Sequence, residues 1–439
     1  MAVADVGALL RGGAVKRSFA ALSFLLAIAA APAVMWRSPA AAAAQEAAPP
    51  PSAPPLRIDT VVLAESGGEW ARFGLPAASQ AGFVVAHAAK RGAGAALLVS
   101  SGGRATPLIA TGSELRTALG RFELESIGER PDVNDSNHVA FRARFVDGSS
   151  AIVVADGFER RFEFVANSTE AYREFGPAVA IDGAGAVAFH ATVDPPGHPD
   201  RDDGLAPADE QDARLAPERL PAPKRLTAAG RAAAFENGLF LVRAGQRRVV
   251  AHSGEQLLDV LDGFALGDGG ALAYRAAPKV GVWSVRVDGG AFAQPIATTG
   301  GAPEERYGPL AINGRGQVAF VAWSADGTAR LCRGAVGRGA PETVQDGATG
   351  FVDFDESVAI DAAGRIAFVG RRADGGAALC VAADAAHVTE LLPIGAPLAG
   401  RRVSALAIGP HAFGRSDRLA VRATLDDGGE ALFLLYARR

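Results

Sequence analysis

The chain has 439 residues, 49% of them apolar, with 44 basic and 48 acidic side chains, two cysteines and a formal charge of −4. That balance excludes a general polyanion binder, so nucleic acid is not an expected partner, and two cysteines exclude a disulfide-stapled scaffold. The length also exceeds what one ordinary core supports, unless the chain is a repeat protein or a closed sheet.

Residues 1–44 read as a secretory signal. Arg11, Lys16 and Arg17 form a positive start, Ser18 to Trp36 is an uncharged and mostly apolar run, and the Ala-rich stretch to Ala44 offers an A-x-A cleavage site. Lys16-Arg17-Ser18-Phe19 is close to a twin-arginine signal, but its first basic residue is Lys, so the export route stays open. A retained membrane anchor is the competing reading, against which Pro32 and the small-residue tail weigh. Cleavage would leave 40 basic and 47 acidic residues, a formal charge of −7. The expected product is extracytoplasmic, periplasmic or secreted, and free of the membrane. Residues 45–56 are Ala/Pro-rich and read as a linker.

From residue 57 onward the sequence repeats itself. Ile58 to Ala64 reads as a strand, and the first copy of the repeat follows, ending in Val85-Ala86. Asn134 to Phe141 is a clear turn-then-strand unit with Asn137 in a glycine slot, and Asp182 to Phe189 is the next. Asp194 to Arg225 then holds seven prolines, eight acids and five bases, so an exposed insertion is expected over about 194–232. The pattern resumes at Ala273-Tyr274, Asn313 to Phe320, Asp361 to Phe368 and Ala420-Val421. Anchored on the penultimate residue of each copy, the positions are 85, 140, 188, 273, 319, 367 and 420, and only the step across the insertion departs from about 47–55 residues. Each unit reads as four short strands, with Asp-Gly hairpin pairs at Asp147-Gly148, Asp326-Gly327, Asp374-Gly375 and Asp427-Gly428. The last unit stops after Ala431 to Tyr436, one strand short, and Ile58 to Ala64 supplies it. The fold expected is all-β, a seven-bladed β-propeller of four-stranded blades whose N-terminal strand closes the last blade. Cys332 and Cys380 occupy the same slot of adjacent units, too far apart to bridge, and are expected as buried thiols.

The N-x-x-G-x-x-A-F pattern at Asn313 to Phe320, with its variants in the other units, resembles the tandem NxxGxxAF repeat of exported bacterial proteins that carry varied surface anchors. The resemblance covers nearly everything from Ile58 to Arg439. It implies a β-propeller and assigns no activity, because the motif fixes turns and core.

Two residues past the anchors the units carry His87, Arg142, His190, Arg275, Val321, Val369 and Arg422. Equivalent slots lie at equal radius, so the five basic or titratable residues define a partial ring of positive potential suited to a carboxylated or sulfated ligand. Inter-blade ion pairing is the alternative use. The fourth-to-first loops carry Trp70, Tyr172, Arg306 and Tyr307, either binding hot spots or caps on the blade cores. Asp182 and Asp361 sit in Asp-x-x-Gly spacings that suit plain β-turns better than calcium, and Asp200 to Gly204 lacks the later bidentate Glu. No nucleophile elbow, H-E-x-x-H or Cys/His cluster occurs, so no metal or cofactor is expected. The reading is a monomeric binding or interaction module that recognises a glycan or protein on its loop-rich face. The alternative is a hydrolase or lyase acting on an extracellular carbohydrate or lactone. Two or three carboxylates or histidines converging in the central funnel with shifted pKa values would favour the enzyme.

Overall fold

The computed structural model describes residues 57–169, 172–193, 227–228, 231–232, 237–253, 257, 259–260, 263–279, 282–289, 293–300, 305–414 and 418–438. They form seven antiparallel sheets of a β-propeller. In chain order the blades are 1 (residues 70–110), 2 (120–167), 3 (172–252), 4 (259–298), 5 (306–345), 6 (351–393) and 7 (401–438 with 57–65). Within each blade the first strand lines the central channel and the fourth is outermost; in blades 1, 2, 4 and 5 the first strand is split into two pieces that pair with the same neighbour. Most of the expected insertion lies outside the described residues, though its end holds a two-residue ladder between Thr227–Ala228 and Arg231–Ala232.

The repeat motif builds each inner corner. The backbone N–H of Ser79, Asn134, Asp182, Gly267, Asn313, Asp361 and Gly414 each donates to the carbonyl four residues on, giving seven equivalent turns between first and second strands. The fourth residue of the turn needs positive φ, met by glycine at Gly82, Gly185, Gly270, Gly316 and Gly364 and by Asn137 at φ 62°. The motif's Asn does two jobs. Asn134 Oδ1 accepts from Ser136 and His138 N–H in its own turn, while its Nδ2 donates to Asp182 O of the next blade at 3.0 Å. Asn313 repeats this, reaching Asp361 O at 2.9 Å. One residue past the anchors, Phe141, Phe189, Tyr274, Phe320 and Phe368 are no more than 1% exposed between the sheets, each ring stabilising by about 2–3 kcal/mol through burial.

The ends meet as expected. Arg57–Glu65 pairs antiparallel with Glu430–Arg438, from Arg57 opposite Arg438 to Glu65 opposite Ala431, with one bulge between Val62 and Ala64. Ser66 N donates to Glu430 O at 2.7 Å, Leu63 O accepts from Ala105 N of blade 1 at 2.8 Å, and Arg401 pairs with Glu65 at 2.9 Å. Cys332 and Cys380 are buried free thiols, pushed up to about 11 and about 12 chiefly by burial.

Candidate functional site

The slot two residues past each anchor lies at the blade seams. Arg275 of blade 4 donates through Nη1 to Tyr307 O of blade 5 at 2.6 Å. Arg422 of blade 7 does the same to Phe73 O of blade 1 at 2.9 Å. Each guanidinium thus crosses to the first strand of the following blade and satisfies a carbonyl there. His87 is buried, and burial holds its pKa below the usual 6.5, with Glu129 pulling it up and Arg72 down. Arg142 lies half-buried against Gly128 of its own blade, and His190 is half-buried beside the third strand of blade 3. Replacing Arg275 and Arg422 by Met is expected to cost about 1–2 kcal/mol each, read as a lower melting temperature, with ligand binding unchanged.

The loop residues divide by blade. Tyr172 is buried, ringed by Phe175, Phe189 and Phe240, and Tyr307 packs edge-on against Phe320, so both cap blade cores. Burial raises the Tyr307 hydroxyl to about 12. Trp70 is half-buried with the Lys90 ammonium 6.0 Å from its ring. Arg306 alone of the four is exposed, stacked 3.9 Å from the Trp323 centroid and paired with Glu356 at 2.8 Å.

Converging titratable groups are found at the channel mouth carrying the seven turns, opposite the loop-rich face. The final residue of each first strand forms an apolar collar: Ala78, Val133, Ile181, Leu266, Ile312, Ile360 and Phe413. The second turn residues of blades 2 and 4, Asp135 and Asp268, stand on its rim, and Gly183, Gly314 and Ala362 in the same slot of other blades keep the mouth open. The cavity is about 170 Å³, and a second, smaller one of about 80 Å³ lies farther up the channel. Pro410 and His411 line both. They belong to a turn in blade 7, closed by Ala412 N to Gly409 O at 3.1 Å, that pushes His411 inward and divides the channel.

His411 Nδ1 lies 2.7 Å from Asp132 Oδ1 of blade 2. The other carboxylate oxygen accepts from Ile181 N of blade 3 at 2.8 Å, so one buried side chain ties three blades. Burial pulls the His411 imidazole down, but the Asp132 charge, the hydrogen bond to it and the nearby Asp268 together hold it above the ordinary 6.5. Protonated His411 donates Nδ1–H to Asp132, while its Nε2 is buried with no hydrogen-bond partner among the described residues. Asp268 is raised above 3.8, first by desolvation against the channel wall and then by the Asp135 charge; His411 and the Gly183 N–H oppose this, and Asp182 adds to it. The mouth therefore brings together the His411 ring in its wall and two carboxylates at its rim, one with raised proton affinity.

Asp132, Asp135 and Asp268 escaped the sequence reading, in which His411 counts as a structural histidine in a turn or strand slot, yet one signal was present. The first-strand residues paired with the seven anchors are Ala77, Asp132, Ala180, Ala265, Ala311, Ala359 and Ala412. Asp132 is the one charge in a slot of alanines. Asp182 Oδ1 accepts from Ala184 and Ala186 N–H, and Asp361 serves its own turn likewise, as their spacing indicated. Asp200 to Gly204 lies outside the described residues.

No family model matches the sequence, and no curated protein matches it. Among solved structures the chain is similar to a prolyl endopeptidase at 11% identity, covering 84% of this chain and 51% of that one, TM-score 0.47. It is similar to an oligogalacturonate lyase from Vibrio parahaemolyticus at 11% identity, covering 87% and 97%, TM-score 0.48. It is also similar to TolB from Acinetobacter baumannii at 9% identity, covering 84% and 66%, TM-score 0.37. The chain thus spans about half the length of the prolyl endopeptidase. At this distance the matches say nothing of what the chain binds, and the propeller stands on its own strand pairings.

Proposed function

We propose that this propeller is an extracytoplasmic binding module that takes a glycan unit into the turn-side mouth of its channel. The observation that carries the reading is the convergence of His411, Asp135 and Asp268 on one cavity. The hydroxyls of a polyhydroxylated ring donate to such carboxylates, and the apolar collar suits its C–H faces. The two rim carboxylates oppose a carboxylated or sulfated ligand, which moves the reading from an anion to a neutral saccharide. The export signal read in residues 1–44 and the resemblance to NxxGxxAF repeat proteins support the location.

The test is a saccharide screen on the protein, followed by titration of the best ligand against the Asp135→Asn/Asp268→Asn double variant. At least a tenfold loss of affinity is expected, because each rim oxygen exchanges an anionic acceptor for a neutral amide. Unchanged affinity would place the ligand elsewhere. A second reading, acid–base chemistry on the same ligand as a hydrolase or lyase, is favoured specifically by the convergence of Asp268 and His411, both with raised proton affinity, at the channel mouth, which is the arrangement expected of an enzyme. Product formation from the bound saccharide, lost in Asp268→Asn, would select it.

A further inference from the structure

Among the described residues, two of the seven seams between blades hold a guanidinium supplied by the preceding blade. In blades 4 and 7 the residue two past the anchor is an arginine whose guanidinium reaches the first strand of the next blade, at Tyr307 O and Phe73 O. In blades 5 and 6 that residue is a valine, Val321 and Val369, and only Val369 is followed by a glycine, Gly370, where the six other blades have Ala88, Ala143, Ala191, Ala276, Ala322 and Ala423. Register identifies the missing contact. Phe73 pairs with Ala88 and Tyr307 with Ala322, so the counterpart across the blade 6–7 seam is Leu406, which pairs with Ala423.

An open groove of about 360 Å³ lies at that place on the loop-rich face. Val369, Gly370, Phe354 and Leu406 form its base. Its rim carries three carboxylates, Asp353, Asp355 and Glu356, against two guanidiniums. Both guanidiniums are engaged: Arg306 by Glu356 at 2.8 Å and by the Trp323 ring, and Arg371 by Asp353 at 3.8 Å. The residual charge of the groove is therefore negative, on Asp355. The volume falls in the range of pockets that take a small group.

We propose that this groove receives the arginine side chain of a partner polypeptide, which supplies from outside the guanidinium that blades 4 and 7 supply from within. The apolar base accommodates the arginine stem, and the planar head meets the rim carboxylate and the seam. Lysine fits less well, because an ammonium lacks the planar fork. The site is independent of the channel mouth and lies on the opposite face.

The test titrates the full protein with an N-acetylated, C-amidated Ala-Arg-Ala tripeptide and its Lys and Ala counterparts, followed by Trp fluorescence and by calorimetry. The Arg peptide is expected to bind at least tenfold more tightly than the Ala peptide, with the Lys peptide between. Val369→Arg installs the side chain that two other blades carry in this slot, and is expected to abolish peptide binding while leaving the melting temperature at or above that of the parent. Asp355→Asn should weaken binding without filling the groove. Equal binding of the Ala peptide, no detectable binding of the Arg peptide at millimolar concentration, or unchanged binding to Val369→Arg would each overturn the proposal. So would displacement of the peptide by a saccharide that Val369→Arg also excludes. Asp135→Asn/Asp268→Asn should leave peptide binding untouched, which keeps failure here separate from failure at the channel mouth.

Discussion

Deleting residues 57–65 is expected to lower the melting temperature by several degrees and to make the protein prone to associate. The strand contributes a complete row of pairings to the last blade and buries Leu63 to 1% exposure. Losing one such buried leucine costs about 2–5 kcal/mol, and in a domain of this size each kcal/mol shifts the transition by about 1 °C. The larger effect is topological. Without the strand, Glu430–Arg438 becomes an exposed edge with unpaired backbone groups, ready to recruit a strand from another molecule. Adding a synthetic peptide of residues 57–65 in trans should restore much of the loss, since the missing interaction is strand addition. Thermal unfolding by circular dichroism together with light scattering checks both points. A truncated protein that melts like the parent and stays monomeric would show that blade 7 holds the ring without its fourth strand.

Asp132→Ala is expected to destabilise the protein by about 3–5 kcal/mol, because it strands the buried imidazolium of His411 and the N–H of Ile181 at once. Asp132→Asn keeps an acceptor for Ile181 and should cost less, which separates the charge from the hydrogen bond. The same pair sets a pH dependence. The folded-state pKa of His411 lies above its ordinary 6.5, so its contribution is fully present below that value and is lost as pH rises through the folded pKa. Asp268, raised above 3.8, acts in the same direction: its protonated form favours the fold, and that gain fades as pH climbs through its raised value. Denaturant titrations should therefore show stability falling from mildly acid toward alkaline pH in the parent. In Asp132→Asn the part above the ordinary histidine value should flatten, and an unaltered slope there would mean that His411 is not the group responsible.

The two sites divide the molecule by face. The channel mouth is made by first-to-second turns, and the blade 6 groove by fourth-to-first and second-to-third loops, so one chain has two separate surfaces on which ligands of different chemistry can be tested. Within each, a departure from the repeat marks the place. Asp132 replaces an alanine at the hub, and Gly370, beside Val369, replaces the alanine that the six other blades carry. A repeat protein packs most slots identically because every blade meets the same neighbours, so an exception in a slot reflects a local requirement.

Much of this architecture was written in the sequence. Turn spacing, the glycine slot with Asn137 as its tolerated substitute, the buried aromatic after each anchor and the match between Ile58 to Ala64 and the missing last strand follow from local rules: left-handed backbone, period-2 burial and the need to pair an edge. The sequence equally identified the slot of Arg275 and Arg422, but not its use, because whether a side chain at fixed radius faces the channel or the next blade depends on inter-blade packing. Only the tertiary structure brought Asp132 of blade 2 against His411 of blade 7, and Asp268 of blade 4 to a cavity that His411 also lines. They are separated by more than a hundred residues along the chain, and ring closure, which no local spacing encodes, sets their distances.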